Sequence, residues 1–269
     1  MTERRILVTG PSQRGWHRLQ QVLECPAKYA WGYLNPVKDK VERDPLVKGS
    51  LIHLGLAHYY QRQMERQQGR DPDLYYTPEE AIRLYAEIAQ GLSAKWADLA
   101  CEVVAKYLEK HGHENWTILA VESLADGQIG GHRFTGRFDL VYRDRRGRIW
   151  VVDHKTTSRF DNKQRHFYSI SGQMLGYRTL AHQRYGADLA GIRLNMIQHT
   201  GDIKFQRFDV SPAPHMLREF PKTVQFAEGM IAEHTARSKD PRDWPMVNSE
   251  LVCWHRYGAC PHLEKCKWG

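Results

Sequence analysis

Long apolar runs are absent from the 269 residues: none approaches the ~20 consecutive apolar residues that cross a bilayer. The N-terminal MTERRILVTG has no extended apolar segment of the kind that directs secretion. Low-complexity tracts are absent too, and 41% hydrophobic with 26% charged residues is the composition of a soluble globular chain. The expectation is a cytoplasmic, unprocessed protein with no membrane contact. Acidic residues are outnumbered, 31 against 39 basic, and the formal charge of +8 favours a polyanionic partner without identifying it. Cysteine is scarce and odd in number. Of five, Cys253, Cys260 and Cys266 crowd into the last 17 residues, a clustering that in a cytoplasmic chain points to metal or redox chemistry over disulfides.

The order of elements follows from periodicity. Residues 13–34 carry helix-spaced apolar residues interrupted by Pro26, which predicts two short helices with Cys25 at the break. Residues 48–68 form a further helical stretch containing His53. Thr77-Pro-Glu-Glu80 is a capping box that opens a long helix to about Lys110, with Cys101 as a small core residue inside it. From Thr117 the period changes to that of strands: TILAVESLA, GHRFTGRFDLVYR and RIWVVDHKT, with Asp126-Gly127 and Arg146-Gly147 as turns. A helix at about 167–184, strands at 190–199 and 203–210 and a helix at about 213–237 complete the pattern. It predicts an α/β or α+β chain, a central sheet flanked by helices. The organisation expected is one domain over 1–269: residues 1–115 mainly helical, 116–210 the sheet core, and 239–269 a tail with too little periodicity to hold itself.

Asp139 and Asp153 lie in successive strands, so a hairpin brings them together. Strand alternation puts Asp153 and Lys155 on one face and Val152 and His154 on the other. Two carboxylates aimed at one point repel unless a cation sits between them, and oxygen ligands suit Mg²⁺ or Mn²⁺. A neighbouring ammonium then binds a phosphate or a water. By itself D-x-K is more often a solvated pair worth under about 1 kcal/mol.

The surroundings change that weighting. Gly49-Ser-Leu-Ile-His53, Gly136-Arg-Phe-Asp139, Asp153-His-Lys155 and Gln173-Met-Leu-Gly-Tyr177 occur in the order seen in the PD-(D/E)XK nuclease superfamily. The set resembles its RecB-like branch, which includes CRISPR-associated RecB-type exonucleases and phage homologues. The resemblance implies a restriction-endonuclease-like core with a mixed central sheet. It also implies metal ligands at His53, Asp139 and Asp153 with the His154 carbonyl, a catalytic Lys155, and active-site or DNA-contacting roles for Gln173 and Tyr177. Each has a plainer alternative: His53 among Leu51, Ile52 and Leu54 is an ordinary helix histidine, and Gln173 with Tyr177 is an ordinary i,i+4 pair. Glu122 can face either the site or solvent.

The C-terminal cysteines supply three soft ligands, and a tetrahedral site needs a fourth. Cys25 is the candidate, and ECPAKYAWGY resembles the helix-breaking cysteine segment of the family's iron-sulfur members. There, one N-terminal and three C-terminal cysteines hold a 4Fe-4S cluster that staples the domain's ends. The Cys253-x6-Cys260 interval is wider than in several relatives, which leaves Zn²⁺ open as a competitor, with His255 or His262 replacing a thiolate.

These readings predict a Mg²⁺- or Mn²⁺-dependent DNA nuclease, an exonuclease of repair, recombination, phage or CRISPR DNA processing. Its DNA would be single-stranded or carry free ends, with recombination or CRISPR proteins as partners. Arg137, Arg143, Arg145, Arg146 and Arg148 could neutralise phosphates, though an arginine-rich turn is more often a solvated loop, and aromatics of the first helix and tail could stack on unpaired bases. Two alternatives stand beside this. One is a DNA-binding or recombination adaptor with weak or no catalysis; the other is a hydrolase of small molecules, which requires an enclosed apolar pocket.

Overall fold

The computed structural model describes residues 4–36, 43–161, 163–255 and 258–268, without the side chains of Leu92, His255 and Trp268. Helices α1 (Trp16–Glu24) and α2 (Pro26–Tyr29) meet at Cys25, where the extended backbone (φ −164°) and the missing N–H of Pro26 break the helix as expected. Helix α3 (Asp44–Gln67) carries His53 in its interior. The capping box at Thr77 forms: Thr77 N–H donates to Glu80 at 2.9 Å and Glu80 N–H to Thr77 Oγ1 at 3.3 Å.

The single long helix expected from there is two, α4 (Pro78–Ala89) and α5 (Gly91–His111). Gln90 and Gly91 both take φ of +53°, and the chain doubles back. Folding back lets Ile82 and Ala86 of α4 pack with Ala100, Val103 and Val104 of α5 against α3. A straight helix would leave one of those apolar stripes in water.

The sheet runs β1 (Thr117–Ile129), β2 (His132–Arg143), β3 (Ile149–Thr157), β4 (Leu189–Gln198) and β5 (Lys204–Val210), in that spatial order. All neighbours are antiparallel except β3 and β4, which are joined through α6 (Lys163–Ile170) and α7 (Gly172–Tyr185). The expected helix at 167–184 thus begins earlier and breaks at Ser171. Asp126-Gly127 is not a turn: Asp126 pairs with Thr135 and Gly127 with Phe134, and the chain reverses at Gly130-Gly131, both at positive φ. Gly127 serves close packing instead, since a Cβ there would lie 2.3 Å from the Gln183 side chain of α7. Helix α8 (Pro214–Arg237) follows, and the tail holds α9 (Glu250–Cys253), β6 (Trp254–His255), β7 (Gly258–Ala259) and α10 (Leu263–Trp268).

One sheet face packs Leu140, Tyr142, Trp150 and Val152 against α3 and α5; the other packs Val141, Val151 and Ile192 against α1, α7 and α8. The architecture is a mixed α/β fold with a five-stranded mixed sheet flanked by helices, consistent with a restriction-endonuclease-like core. Among the described residues no helix is long and apolar enough to cross a membrane.

Candidate active site

Pairing between β2 and β3 runs from Arg143↔Ile149 to Leu140↔Val152 and stops. Asp139 and Asp153 hold the next positions, where the strands part. The His154 N–H donates to Asp139 Oδ2 at 2.7 Å in place of a ladder carbonyl. On β1, Val121↔Leu140 and Ser123↔Phe138 flank Glu122, which therefore stands across from Asp139. Glu122 has φ of +47°, a left-handed conformation uncommon for a residue with a side chain. That kink answers what the sequence left open: the carboxylate faces the site.

Helix α3 brings His53 Nδ1 to 3.5 Å from Asp139 Oδ2, and His53, Glu122 and Asp139 offer ligand atoms all within 4.8 Å of one another. Lys155 Nζ lies 2.8 Å from Asp153 Oδ2, so strand parity holds; that oxygen is buried and accepts no well-aligned hydrogen bond. The His154 ring points to the other face, stacked on Tyr60 with its Nδ1 2.7 Å from the Asn195 amide. From α7, Gln173 Nε2 is 3.2 Å from Tyr177 Oη and 3.5 Å from Asp153 Oδ1, while Tyr177 O–H donates to the Arg137 carbonyl at 2.6 Å. These two side chains bolt Asp153 and β2 to α7.

Burial, then the charge of Asp139, pushes the Glu122 carboxyl up to about 9. Burial likewise raises Asp139 and Asp153 to about 6, against the pull of Lys155. Burial opposes the charge on Lys155, but Asp153 and Asp139 outweigh it and hold the ammonium protonated above its usual range. Burial and the nearby Lys155 lower His53 to about 4, which leaves its imidazole neutral with a free lone pair. Crowded carboxylates that resist ionising, together with a neutral histidine, form the donor set of a hard divalent cation. Those residues fit Mg²⁺ or Mn²⁺.

A stability prediction follows from Glu122. Above the ordinary histidine value of 6.5 the shifted histidines are neutral in both folded and unfolded chains, and Glu122 still holds a proton in the fold that the unfolded chain has lost, joined toward the ordinary thiol value of 9.0 by the raised Cys101, Cys260 and Cys266. Folding of metal-stripped protein must therefore weaken as pH rises from about 6.5 to about 9. Thermal melts should show that decline, and Glu122→Gln should flatten it. A decline of equal slope in the variant would assign it to another group.

The site floors a cleft of about 620 Å³ whose other walls include residues 6–11, Leu46 and Tyr85. Its rim is open, with Val8 73% and Leu46 68% exposed, unlike the enclosed pocket that the small-molecule reading requires. Arg143, Arg145, Arg146 and Arg148 sit at or beside the β2–β3 turn, four residues or ~13 Å along the strands from the carboxylates, where Arg148 pairs with Asp144, a placement that fits the solvated-loop alternative. Of the five arginines only Arg137 lines the cleft. Trp16 and Trp244 pack on Phe220 and on Tyr29 and are not free to stack on bases, whereas Trp254 of the tail is 65% exposed.

At the far end, Cys25, Cys253, Cys260 and Cys266 all line one small cavity of about 100 Å³ with Lys28 and Lys267. Among the described residues no three of these sulfurs lie within 4.8 Å of one another. Burial raises the Cys260 and Cys266 thiols. His262 is buried outside this lining, and the His255 side chain lies outside the described residues.

No curated protein matches the chain. Among solved structures, a candidate exonuclease from Eubacterium rectale is similar over 93% of this chain and 94% of its own, at 11% identity and a TM-score of 0.50. The protein SSO0001 overlaps more loosely, over 70% of this chain and 84% of its own, at 16% identity and a TM-score of 0.34. Residues 16–267 match one family, and with that span the chain belongs to the PD-(D/E)XK nuclease superfamily.

Proposed function

We propose that the chain is a metal-dependent deoxyribonuclease of the RecB-like branch, hydrolysing phosphodiester bonds as an exonuclease in DNA repair, recombination, phage or CRISPR processing. The observation that carries this reading is the meeting of Glu122, Asp139 and Asp153 at the strand fork with a charged Lys155 and a neutral His53. Asp139, Asp153, Glu122 and His53 would hold Mg²⁺ or Mn²⁺. When bound, such an ion supplies Lewis-acid stabilisation of the phosphoryl oxygens and makes a bound water more acidic. Lys155, kept protonated, donates to the scissile phosphate or to the attacking water and offsets developing negative charge. Gln173 and Tyr177 hold Asp153 in place, a positioning role more than a DNA contact.

For the four cysteines we favour a 4Fe-4S cluster over Zn²⁺. Tetrahedral zinc at a Zn–S distance of about 2.3 Å draws its sulfurs to roughly 3.8 Å from one another. The wider cavity, with His262 outside its lining, accords better with the larger cluster.

The test is degradation of linear single-stranded DNA by chelator-stripped protein with Mg²⁺ or Mn²⁺ restored, alongside Mn²⁺ binding by calorimetry. Cleavage should return only with metal, leave 5′-phosphates, and bind Mn²⁺ less tightly in Asp139→Asn. Tight DNA binding with no cleavage at any metal concentration would replace the enzyme with the adaptor.

A further inference from the structure

The segment that precedes α1 is not a loose leader. Arg5 N–H donates to the Leu74 carbonyl at 2.7 Å and bridges to Tyr75, and the Arg4 guanidinium pairs with Glu80 at 2.9 Å. Leu7 N–H donates to Nε2 of buried His58 at 3.1 Å; Nδ1 then carries the ring proton and donates to the Tyr76 carbonyl at 3.0 Å. These anchors belong to α3, to the segment leading into α4 and to the first turn of α4. At the next residue the anchors change sides. Arg137 donates to the Val8 carbonyl at 2.9 Å, Ser12 O–H to the Thr135 carbonyl at 2.9 Å, and Arg14 exchanges two hydrogen bonds with Thr135, all on β2.

Residues 6–11 therefore span from the helical layer to the sheet, and they do so while lining the cleft that holds Asp139, Asp153 and Lys155. A groove that cuts internally needs two open ends, because the uncut chain continues past the scissile bond on both sides. A strap tied to both walls takes one of those ends away. Ile6 and Val8, exposed at 40% and 73%, join Leu46 and Tyr85 as an apolar rim suited to the faces of unpaired bases.

We propose that the strap of residues 6–11 makes the site end-dependent, so that a strand reaches Lys155 and Asp153 only by its free terminus. This rests on the nuclease reading above. Whether a strand stops beneath the strap or threads under it, a covalently closed circle has no terminus to offer. The hydrolysis itself is unchanged; the strap selects the substrate.

The experiment compares one single-stranded sequence as a linear molecule and as a circle, with metal-loaded full-length protein. The linear strand should be consumed while the circle persists intact, and a linear strand carrying streptavidin on biotin at both termini should be protected like the circle. Circle and linear strand disappearing at equal rates would overturn the proposal. Replacing residues 6–10 by glycine and serine, or Leu7→Pro to remove the N–H held by His58, should convert the circle into a substrate. A folded variant that still cuts linear DNA and still spares the circle would show that the strap is not the barrier. Because both substrates are read with one preparation, a partly folded variant lowers both rates and leaves their ratio intact. If the wild type cuts neither, it is the nuclease reading that fails, not the strap.

Discussion

Lys155→Ala will lower metal-dependent DNA cleavage on the order of 10²- to 10³-fold, the loss typical when one preorganised donor to a transition-state charge is removed. The substitution is small in volume but large in electrostatics. Lys155 is the cation nearest both Asp153, at 2.8 Å, and the charge of Asp139. Its loss leaves a carboxylate that is 2% exposed with no counter-charge, so Asp153 will hold its proton more tightly. A divalent ion no longer competes with the ammonium, so Mn²⁺ binding should persist at high pH while turnover does not recover. Asp153→Asn should behave differently, losing Mn²⁺ binding and cleavage together. The diagnostic is that split, measured by calorimetry beside single-turnover cleavage. Equal cleavage by Lys155→Ala and wild type would remove Lys155 from the mechanism, and equal loss of Mn²⁺ binding in both variants would make it a structural support for the metal site.

The second large effect belongs to the tail. On the proposed 4Fe-4S reading, Cys25→Ser or Cys260→Ser should abolish the brown visible absorbance that such a cluster would give anaerobically purified protein, and lower stability by about 2–5 kcal/mol, the scale of losing a native cross-link. The size follows from topology: Cys25 and Cys253 stand 228 residues apart, and closing so long a loop removes much freedom from the unfolded chain. Among the described residues, three further contacts join α2 and its Cys25 cap to the tail. Ala27 N–H donates to the Pro245 carbonyl at 3.0 Å, Trp244 packs on Tyr29, and Val247 N–H reaches Cys25 Sγ at 3.5 Å. Proteolysis within residues 246–268 should accelerate in the variants. The catalytic fork lies in the five-stranded sheet, to which the tail and its separate β6–β7 pair contribute no strand, so cleavage at low temperature should survive. Colourless wild-type protein containing one zinc per chain would decide for the zinc alternative; colourless protein without metal would remove the staple altogether.

Much of the site was legible in the sequence because it is built from short-range periodicity. Strand alternation alone placed Asp153 and Lys155 on one face and turned the His154 ring away, and the i,i+4 spacing put Gln173 and Tyr177 on one face of α7. The helix break at Cys25 and the capping box at Thr77 depend on a proline and on a pattern four residues long, and both stand where expected. The errors share another character. Asp126-Gly127 has turn composition, yet its glycine is needed because α7 passes 2.3 Å from where a Cβ would be, a neighbour some fifty residues away in the chain. The break between α4 and α5 needs no proline, since the gain is apolar packing against α3.

What the sequence by itself determined is the set of chemical groups and their order along the chain: acids, lysine, histidine and four cysteines, with Asp153 and Lys155 on one strand face and Gln173 and Tyr177 on one helix face. What only the tertiary structure decided is convergence. Strands β2 and β3 part just where Asp139 and Asp153 stand, a left-handed Glu122 is turned onto them, the arginines of the hairpin turn are left ~13 Å along the strands, and residues 6–11 cross the cleft. Each of these depends on contacts between segments far apart in the chain, and such contacts are set by how whole layers pack, which no local pattern encodes.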